Sequence, residues 1–358
     1  MHSMDERRTR PIRVLIVEDS AVVRRVLTEE LTKYPGIQVV GTASDPYVAR
    51  ERIAELRPDV LTLDVELPRM DGLTFLERLM RHFPMPVVVV SSLTPRNSAV
   101  AMRALSLGAV DVIRKPTDPA MIPAIGARLA RAIHGAALAD IGRIRPDSTP
   151  DGRPDPAAPL HLASNKVIAI GASTGGPHAI ETILRALPPD VPGTVIVQHM
   201  PEFFTASFAE RLDQVCPMHV REARDGDGVA PGVALIAPGN RHMILQQDGA
   251  GYRVRIKDGP PVHHQRPSVD VLFSSVARGA GPNAIGILLT GMGADGARGL
   301  LAMRESGAVT IAQDEETSVV YGMPREAVRL GAAMQVLPLP LIAPAVLRHL
   351  AEPARPDR

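Results

Sequence analysis

Cysteine is nearly absent: Cys216 is the only one in 358 residues, which excludes an internal disulfide. A lone thiol of this kind reads as a small buried hydrophobe. Tryptophan is missing and aromatics make up only 3% of the chain, which argues against a surface built to stack bases. Neither sign of charge is in excess. The 40 Lys and Arg and 39 Asp and Glu leave a formal net charge of +1, unlike the footprint of a basic nucleic-acid binder. No helix-turn-helix pattern is found, so no nucleic-acid partner is expected. No apolar run approaches the ~20 residues of a membrane span. The amino-terminal stretch MHSMDERRTRPIRVLIV is basic, but its short apolar run leads straight into a strand, so neither a signal peptide nor membrane insertion is expected. What remains, 45% hydrophobic and 22% charged, is ordinary globular composition. The length suits about two domains, each with its own core, in a soluble cytoplasmic protein.

The most informative stretch is Ile168 to Pro177, IAIGASTGGP. A short apolar run, Val167 to Ile170, reads as a buried strand. It stops at a Gly-rich turn, and Pro177 then opens a helical stretch, where its missing N–H is no loss. Ser173 therefore sits on a strand-to-helix turn, and Gly171 to Gly175 reads G-x-S-x-G, the pattern of a nucleophile elbow. Three readings compete. The turn is a plain βα connection with a solvated serine, a dinucleotide loop, or the seat of a serine nucleophile. The dinucleotide reading fails on two points. Ser173 stands where G-x-G-x-x-G needs its second glycine, and the next strand ends in Gln198-His199 rather than in a ribose-binding acid. The nucleophile reading needs a base, an orienting acid and an oxyanion hole.

From Pro11 to about His134, apolar runs alternate with amphipathic segments. The runs are Val14–Val17, Val39–Thr42, Val60–Leu63, Val87–Val90 and Val110–Ile113, and Ala21 to Lys33 is one helical segment between them. Five such units predict a parallel, doubly wound sheet whose site lies at the strands' carboxyl ends. Those ends carry Glu18-Asp19, Asp64, Ser91-Ser92 and Lys115-Pro116. Three converging carboxylates repel one another, and a hard cation such as Mg²⁺ relieves the repulsion. A hydroxyl and an ammonium opposite them suit a phosphoryl group on Asp64.

This region resembles the response-regulator receiver domain over essentially its whole length. The matching residues are Glu18-Asp19-Ser20, Asp64 with Pro68-x-Met70-Asp71-Gly72, Ser91 and Lys115-Pro116. The resemblance implies that Asp64 is the phospho-acceptor. Glu18, Asp19 and Asp64 would bind Mg²⁺ with the backbone carbonyl of Glu66, and Ser91 and Lys115 would contact the phosphoryl group. The Lys115–Pro116 bond would be cis. Val112 replaces the switch aromatic of many receivers, so a ring-rotation switch is not expected.

Beyond Gly135 the pattern degrades. Arg145 to Pro159, RPDSTPDGRPDPAAP, has no hydrophobic periodicity and reads as a solvated linker. In the second domain two more residues stand after apolar strands. His199 follows Thr194–Val197, and Asp295 follows Ala284–Leu289 inside a Gly-rich turn. Taken singly, His199 suits a structural role and Asp295 a turn or helix N-cap. Together with Ser173, each follows a strand of one α/β sheet, so the three can converge on one edge. Their chain order is not that of an α/β-hydrolase, and triads are defined by geometry rather than order. Backbone N–H groups around Thr174 and Gly291 to Gly293 are candidates for an oxyanion hole.

The segments Ile168–Pro177, Gln198–Pro201, Ala237–Met243, Arg266–Phe273, Leu289–Gly296, Ala312–Asp314 and Tyr321–Pro324 resemble the chemotaxis protein-glutamate methylesterases across the second domain. The receiver–linker–esterase order is also that family's. The resemblance implies Ser173 as nucleophile, His199 as base and Asp295 as its orienting acid, with Thr174 and Met292 flanking the site. It implies hydrolysis of glutamate methyl esters, and deamidation of glutamine, on methyl-accepting chemotaxis receptors. A histidine kinase of the chemotaxis type would be the phosphodonor, with Mg²⁺ at the receiver and no cofactor in the catalytic domain. At rest the receiver would sit over the esterase cleft until Asp64 is phosphorylated.

Three other features take simpler readings. His263-His264 with His242 lack a visible tetrahedral ligand set and read as a solvated or substrate-lining loop rather than a zinc site. Phe203, Phe204 and Phe208 read as a packed helix face, with the first near the cleft. Gln246 to Gly251 reads as a hairpin loop. The expected architecture is α/β throughout. Residues 1–134 form a five-stranded parallel doubly wound receiver, 135–164 a linker, 165–350 a mainly parallel α/β catalytic domain with a hairpin, and 351–358 a tail.

Overall fold

The computed structural model describes residues 10–92, 95–116, 118–143 and 165–351. The linker sequence Arg145–Pro159 and the end of the tail lie outside them. The described residues form two compact units on either side of the linker.

In the first unit β1 (Ile12–Val17), α1 (Ala21–Leu31), β2 (Ile37–Ala43), α2 (Pro46–Leu56), β3 (Val60–Leu63), α3 (Gly72–His82), β4 (Val87–Ser92), α4 (Pro95–Ser106), β5 (Asp111–Lys115) and α5 (Pro123–Leu138) alternate along the chain. The sheet is parallel, in the order β2-β1-β3-β4-β5. Its central strands are apolar without alternation because helices cover both faces. Leu15, Ile16, Leu61 and Val88 are fully buried. Polar caps start the helices: Ser20, Asp45 and Asp71 accept backbone N–H groups at the heads of α1, α2 and α3.

Two details depart from the sequence reading. Helix α5 runs on to Leu138, past the boundary at 134, because Gly135 is followed by Ala-Ala-Leu and one glycine does not end a packed helix. Among the described residues the cis bond is Arg266–Pro267, not Lys115–Pro116.

The second unit contains β6 (Val167–Ala172), α6 (Gly176–Ala186), β7 (Thr194–Gln198), α7 (Phe204–Val215), β8 (His219–Glu222), β9 (Gly228–Val229), β10 (Val233–Ile236), β11 (His242–Asp248), β12 (Gly251–Lys257), α8 (Val269–Ala280), β13 (Ala284–Leu288), α9 (Ala297–Glu305), β14 (Val309–Gln313), α10 (Met323–Arg329), β15 (Gln335–Leu337) and α11 (Leu339–Ala351). Seven strands form a parallel sheet, β15-β14-β13-β6-β7-β10-β8. A small antiparallel sheet, β11-β12-β9, stands beside it in the chain's fold. The hairpin turn is tighter than the sequence suggests. Asp248 pairs with Gly251, so only Gly249 and Ala250 lie between the strands.

Strand order positions the site. The chain moves from β6 to β7 on one side and later returns to β13 on the other, so the sheet's direction of winding reverses between β6 and β13. In open α/β sheets the crevice at such a reversal is where ligands bind. Ser173 follows β6, His199 follows β7 and Asp295 lies in the turn after β13. Burial continues to the very ends of these strands, with Ile170, Ala172, Val197 and Leu288 inaccessible to solvent. Burying each of the larger side chains, Ile170, Val197 and Leu288, contributes ~1.5–3 kcal/mol to holding the edge in place.

Candidate active site

The three strand ends are stitched together before any side chain acts. Ser173 N donates to Thr290 O at 3.0 Å, His199 N to Ala172 O at 3.1 Å, and Leu289 N to Gly171 O at 2.9 Å. The turn after Ser173 closes through Gly176 N to Ser173 O at 2.8 Å. The buried Gln198 amide also donates to Ser173 O at 2.9 Å. Gly175 caps α6 with φ 78°, a conformation only glycine adopts freely. Gly291 is required by proximity: a Cβ there would lie 2.3 Å from Met323 Sδ and 2.7 Å from Ser173 Cβ.

His199 Nε2 lies 2.8 Å from Asp295 Oδ2. The carboxylate has three further donors. Ser268 Oγ donates to it at 2.8 Å, Val269 N at 2.8 Å and Asp270 N at 3.0 Å. Ser268 is the N-cap of α8 and Val269 its first residue, so Asp295 occupies the positive end of that helix. Burial pushes the Asp295 carboxyl up, but the hydrogen bond from His199 and the backbone donors outweigh it and hold the group below the ordinary range. An ionised carboxylate only accepts, so the proton between the two residues resides on His199 Nε2. The neutral ring's accepting nitrogen is then Nδ1, which is buried and has no hydrogen-bond partner. The structure therefore joins His199 to Asp295 directly, whereas no hydrogen bond joins the Ser173 hydroxyl to His199. A nucleophile and base often close such a gap only on binding substrate.

The flanking residues fall at the same edge. Thr174 is buried and its carbonyl accepts from Thr290 Oγ1 at 2.9 Å. Met292 is half-buried in the turn before Asp295. The Gly291 N–H does not point into an oxyanion site, because it donates to Val320 O at 3.0 Å.

The sequence reading left His263 in a solvated or substrate-lining loop and gave Asp270 no role, whereas the structure pairs the two. Asp270 Oδ2 lies 3.1 Å from His263 Nε2 and Oδ1 accepts from Gly299 N at 2.6 Å. Burial, with Asp295 close by, raises the Asp270 carboxyl above its usual range. The signal was a Ser-x-Asp pair ahead of an apolar run, a helix N-terminus signature. His242 is held on both sides by backbone: Nδ1 accepts from Ser268 N at 3.2 Å, and Nε2 donates to Pro260 O at 3.0 Å. It supports the loop before α8 rather than joining the other histidines.

At the edge of the first unit, one oxygen each from Glu18, Asp19 and Asp64 lie within 4.8 Å of one another. Lys115 Nζ reaches both Glu18 oxygens at 2.8 Å and Asp64 Oδ2 at 2.6 Å. Burial, then the neighbouring Asp64, pushes Glu18 up to about 7. Burial opposes the Lys115 charge, but Asp64 and Glu18 hold its ammonium above the ordinary range. Glu66 N donates to Asp64 Oδ1 at 3.0 Å, which turns this loop's backbone around the carboxylate. Ser91 is buried on β4 next to these residues, and Val112 is buried on β5. One ammonium against three acids leaves surplus negative charge, and an all-oxygen donor set of this kind fits Mg²⁺.

An acid-lined parallel sheet next in the chain to an α/β unit with a buried His–Asp pair at its reversal point defines a receiver-coupled hydrolase class. The comparisons narrow that class. The model of the CheB methylesterase matches residues 168–346, and that of the response regulator receiver domain residues 14–125. A protein-glutamate methylesterase/protein-glutamine glutaminase of Syntrophus aciditrophicus is 54% identical over 343 residues, covering 94% of this chain and 98% of the relative. One from Salmonella typhimurium is 52% identical over 343 residues, covering 95% and 97%. The crystal structure of the Thermotoga maritima CheB methylesterase catalytic domain matches with TM-score 0.51 and 38% identity, covering 52% of this chain and 99% of that one. The chain belongs to the CheB methylesterase family, with an amino-terminal response regulator receiver domain.

Proposed function

We propose that this protein is a protein-glutamate methylesterase and protein-glutamine glutaminase acting by a serine mechanism under the control of Asp64 phosphorylation. The observation that carries the mechanism is the buried His199–Asp295 pair with its remaining ring nitrogen unpartnered, on the strand next to Ser173.

The substrate is a glutamate γ-methyl ester on the cytoplasmic helical bundle of a chemoreceptor. Ser173 Oγ attacks the ester carbonyl and its proton passes to His199 Nδ1. Asp295, held ionised by its other donors, stabilises the imidazolium that results. The oxyanion forms beside Thr174 and Met292. Its collapse breaks the C–O bond, and methoxide leaves as methanol with the proton from His199. Water then attacks the acyl-enzyme with the same base, freeing glutamate and Ser173. With a glutamine substrate the leaving group is ammonia.

In the receiver, Glu18, Asp19, Asp64 and the carbonyl of Glu66 hold Mg²⁺, which when bound neutralises charge on the incoming phosphoryl group. Asp64 accepts the phosphoryl group from a histidine kinase of the chemotaxis type, and Lys115 and Ser91 hold its oxygens. Phosphorylation relieves the receiver's restraint on the catalytic unit. The protein works in the cytoplasm, in keeping with a chain in which no helix of the described residues is long and apolar enough to cross a membrane.

The test is methanol release from a methylated receptor cytoplasmic fragment, with and without a phosphodonor, for wild type and Ser173→Ala. Release by wild type alone is the expected result. Release by both would move the nucleophile elsewhere, and release by neither would favour a non-catalytic role.

A further inference from the structure

Two buried glutamines end strands on either side of the catalytic turns. Gln198 is the last residue of β7 and Gln313 the last of β14. In the sheet order β14-β13-β6-β7 these strands flank the central pair, β13 and β6. Each glutamine reaches inward to the turn after its neighbouring strand. Gln198 Nε2 donates to Ser173 O at 2.9 Å and to His199 O at 3.2 Å. Gln313 Oε1 accepts from Thr290 N at 2.8 Å, and its Nε2 donates to Thr317 O at 2.9 Å. Thr290 O in turn accepts from Ser173 N at 3.0 Å.

The bonds form a continuous polar frame across four strands. Ser173 is held on both of its peptide groups, by Thr290 O at the amide and by Gln198 at the carbonyl. His199 is held in the same way, by Ala172 O at its amide, 3.1 Å away, and by the same Gln198 side chain at its carbonyl. One NH₂ group therefore ties the main chain of the nucleophile to that of the base. Its orientation is dictated, because the amide turned over would set Oε1 against two carbonyl oxygens. The orientation adopted leaves Oε1 buried without a donor, at a cost in stability. The head of α6 closes on the amide as well, since a Cβ on Gly176 would lie 2.1 Å from Gln198 Oε1. Gln313 is bonded at both its oxygen and its nitrogen, and by holding Thr290 it gives the Ser173 amide a fixed anchor.

Resting on the serine mechanism, we propose that Gln198 is a positioning residue for the hydrolysis. Its hydrogen bonds go to main-chain carbonyls and not to a reacting atom. It sets the separation of Ser173 Oγ from His199 Nδ1 by fixing the two peptide planes from which those side chains depart. Because no hydrogen bond joins the Ser173 hydroxyl to His199 in the free protein, a small shift of either main chain decides how readily that bond closes on substrate.

The experiment reads the nucleophile with and without the receptor. The full chain is treated with a small fluorophosphonate, which phosphonylates an activated serine with loss of fluoride, and the rate at Ser173 is followed by peptide mass spectrometry. Methanol release from a methylated receptor cytoplasmic fragment is measured in parallel. Gln198→Met keeps the length of the side chain and removes both donors. It is expected to slow labelling of Ser173 and to lower kcat by about tenfold to a hundredfold, with KM changed less than about twofold. Gln198→Glu keeps the shape, and its carboxyl recovers one donor when protonated, the form that burial favours. Its labelling rate relative to wild type should therefore rise as the pH falls from about 8 to about 6. Equal labelling of wild type and Gln198→Met would overturn the proposal. So would a raised KM at constant kcat, which would place Gln198 in substrate binding, or a pH-independent ratio for Gln198→Glu, which would make it a packing element. If neither variant folds, the role is structural and the proposal falls. Labelling of wild type at Ser173 without methanol release would sink the receptor-ester reading alone, whereas no labelling of wild type would sink the serine mechanism and this proposal with it.

Discussion

The two parallel sheets present carboxylates at the same place, the ends of their central strands, and treat them in opposite ways. At the receiver edge Glu18 and Asp64 share one ammonium, from Lys115, with Asp19 beside them, and Glu18 is pushed up to about 7 by burial and by Asp64. At the catalytic edge Asp295 has four donors, and these outweigh its burial. The first site is short of positive charge and so responds to a cation or to a change in its own charge. At the second the carboxylate is saturated, and the unsatisfied buried atoms there are Nδ1 of His199 and Oε1 of the neighbouring Gln198. A regulatory site is left unbalanced so that something can be added, whereas a catalytic site is balanced in advance so that nothing need move when charge develops.

Variants of the catalytic edge test the saturated side of this comparison most severely. Ser173→Ala should remove methanol release, a loss of more than about a thousandfold in kcat. Asp295→Asn should cost less, on the order of a hundredfold to a thousandfold, because binding and the oxyanion environment survive loss of the orienting acid. Single-turnover kinetics rank the two, and the reverse order would undo the assigned roles. On the receiver side, Asp64→Asn should abolish stimulation by a phosphodonor while the unstimulated rate persists. Stimulation equal to wild type would dissociate the acidic cluster from control.

A smaller effect tests how rigidly the catalytic edge is held. Gly291→Ala adds a methyl that would crowd Ser173 Cβ and Met323 Sδ. We expect kcat to fall by about tenfold with KM little changed. An unchanged kcat would show that the turn yields without cost.

The smallest effect separates the two sites by pH. Glu18 has a raised folded value, so its contribution to stability is fully present below its ordinary value of 4.5 and is lost as pH rises through about 7. A cation replaces that proton. Mg²⁺ should therefore raise the receiver's thermal midpoint by a few degrees more at pH 8 than at pH 5. Asp295 is lowered from 3.8. Its contribution is present above that value and is lost only as pH falls through the lower folded one, so the same step from pH 5 to 8 leaves it unchanged. Calorimetry with and without Mg²⁺ at the two pH values would show whether only one transition responds.

Much of this was legible in the chain because strand ends are marked by where apolar runs stop. All five receiver strands and the strands before Ser173, His199 and Asp295 were readable in this way, and strand-end position alone brought the polar residues to common edges. The contacts made across distant loops were not readable. Nothing in Leu289–Gly296 announces that Asp295 reaches the head of α8, and nothing in Gln198–Pro201 tells which ring nitrogen of His199 it engages. The Asp270–His263 pair depends on the path of the loop between β12 and α8, where His263 and His264 take left-handed conformations that their side chains do not advertise. Gly135 looked like the end of regular structure, yet packing carries α5 through it.

The position of Asp295 also bears on how such an enzyme would decay. Its carboxylate receives the first N–H groups of α8 and the hydroxyl of Ser268 as well as the imidazole of His199, so replacing it disturbs a buried helix terminus as well as turnover. Ser173 carries no such double duty through its hydroxyl. A lineage released from selection for hydrolysis should therefore shed the serine early and keep the aspartate long after, leaving the acid as a fossil of the lost chemistry.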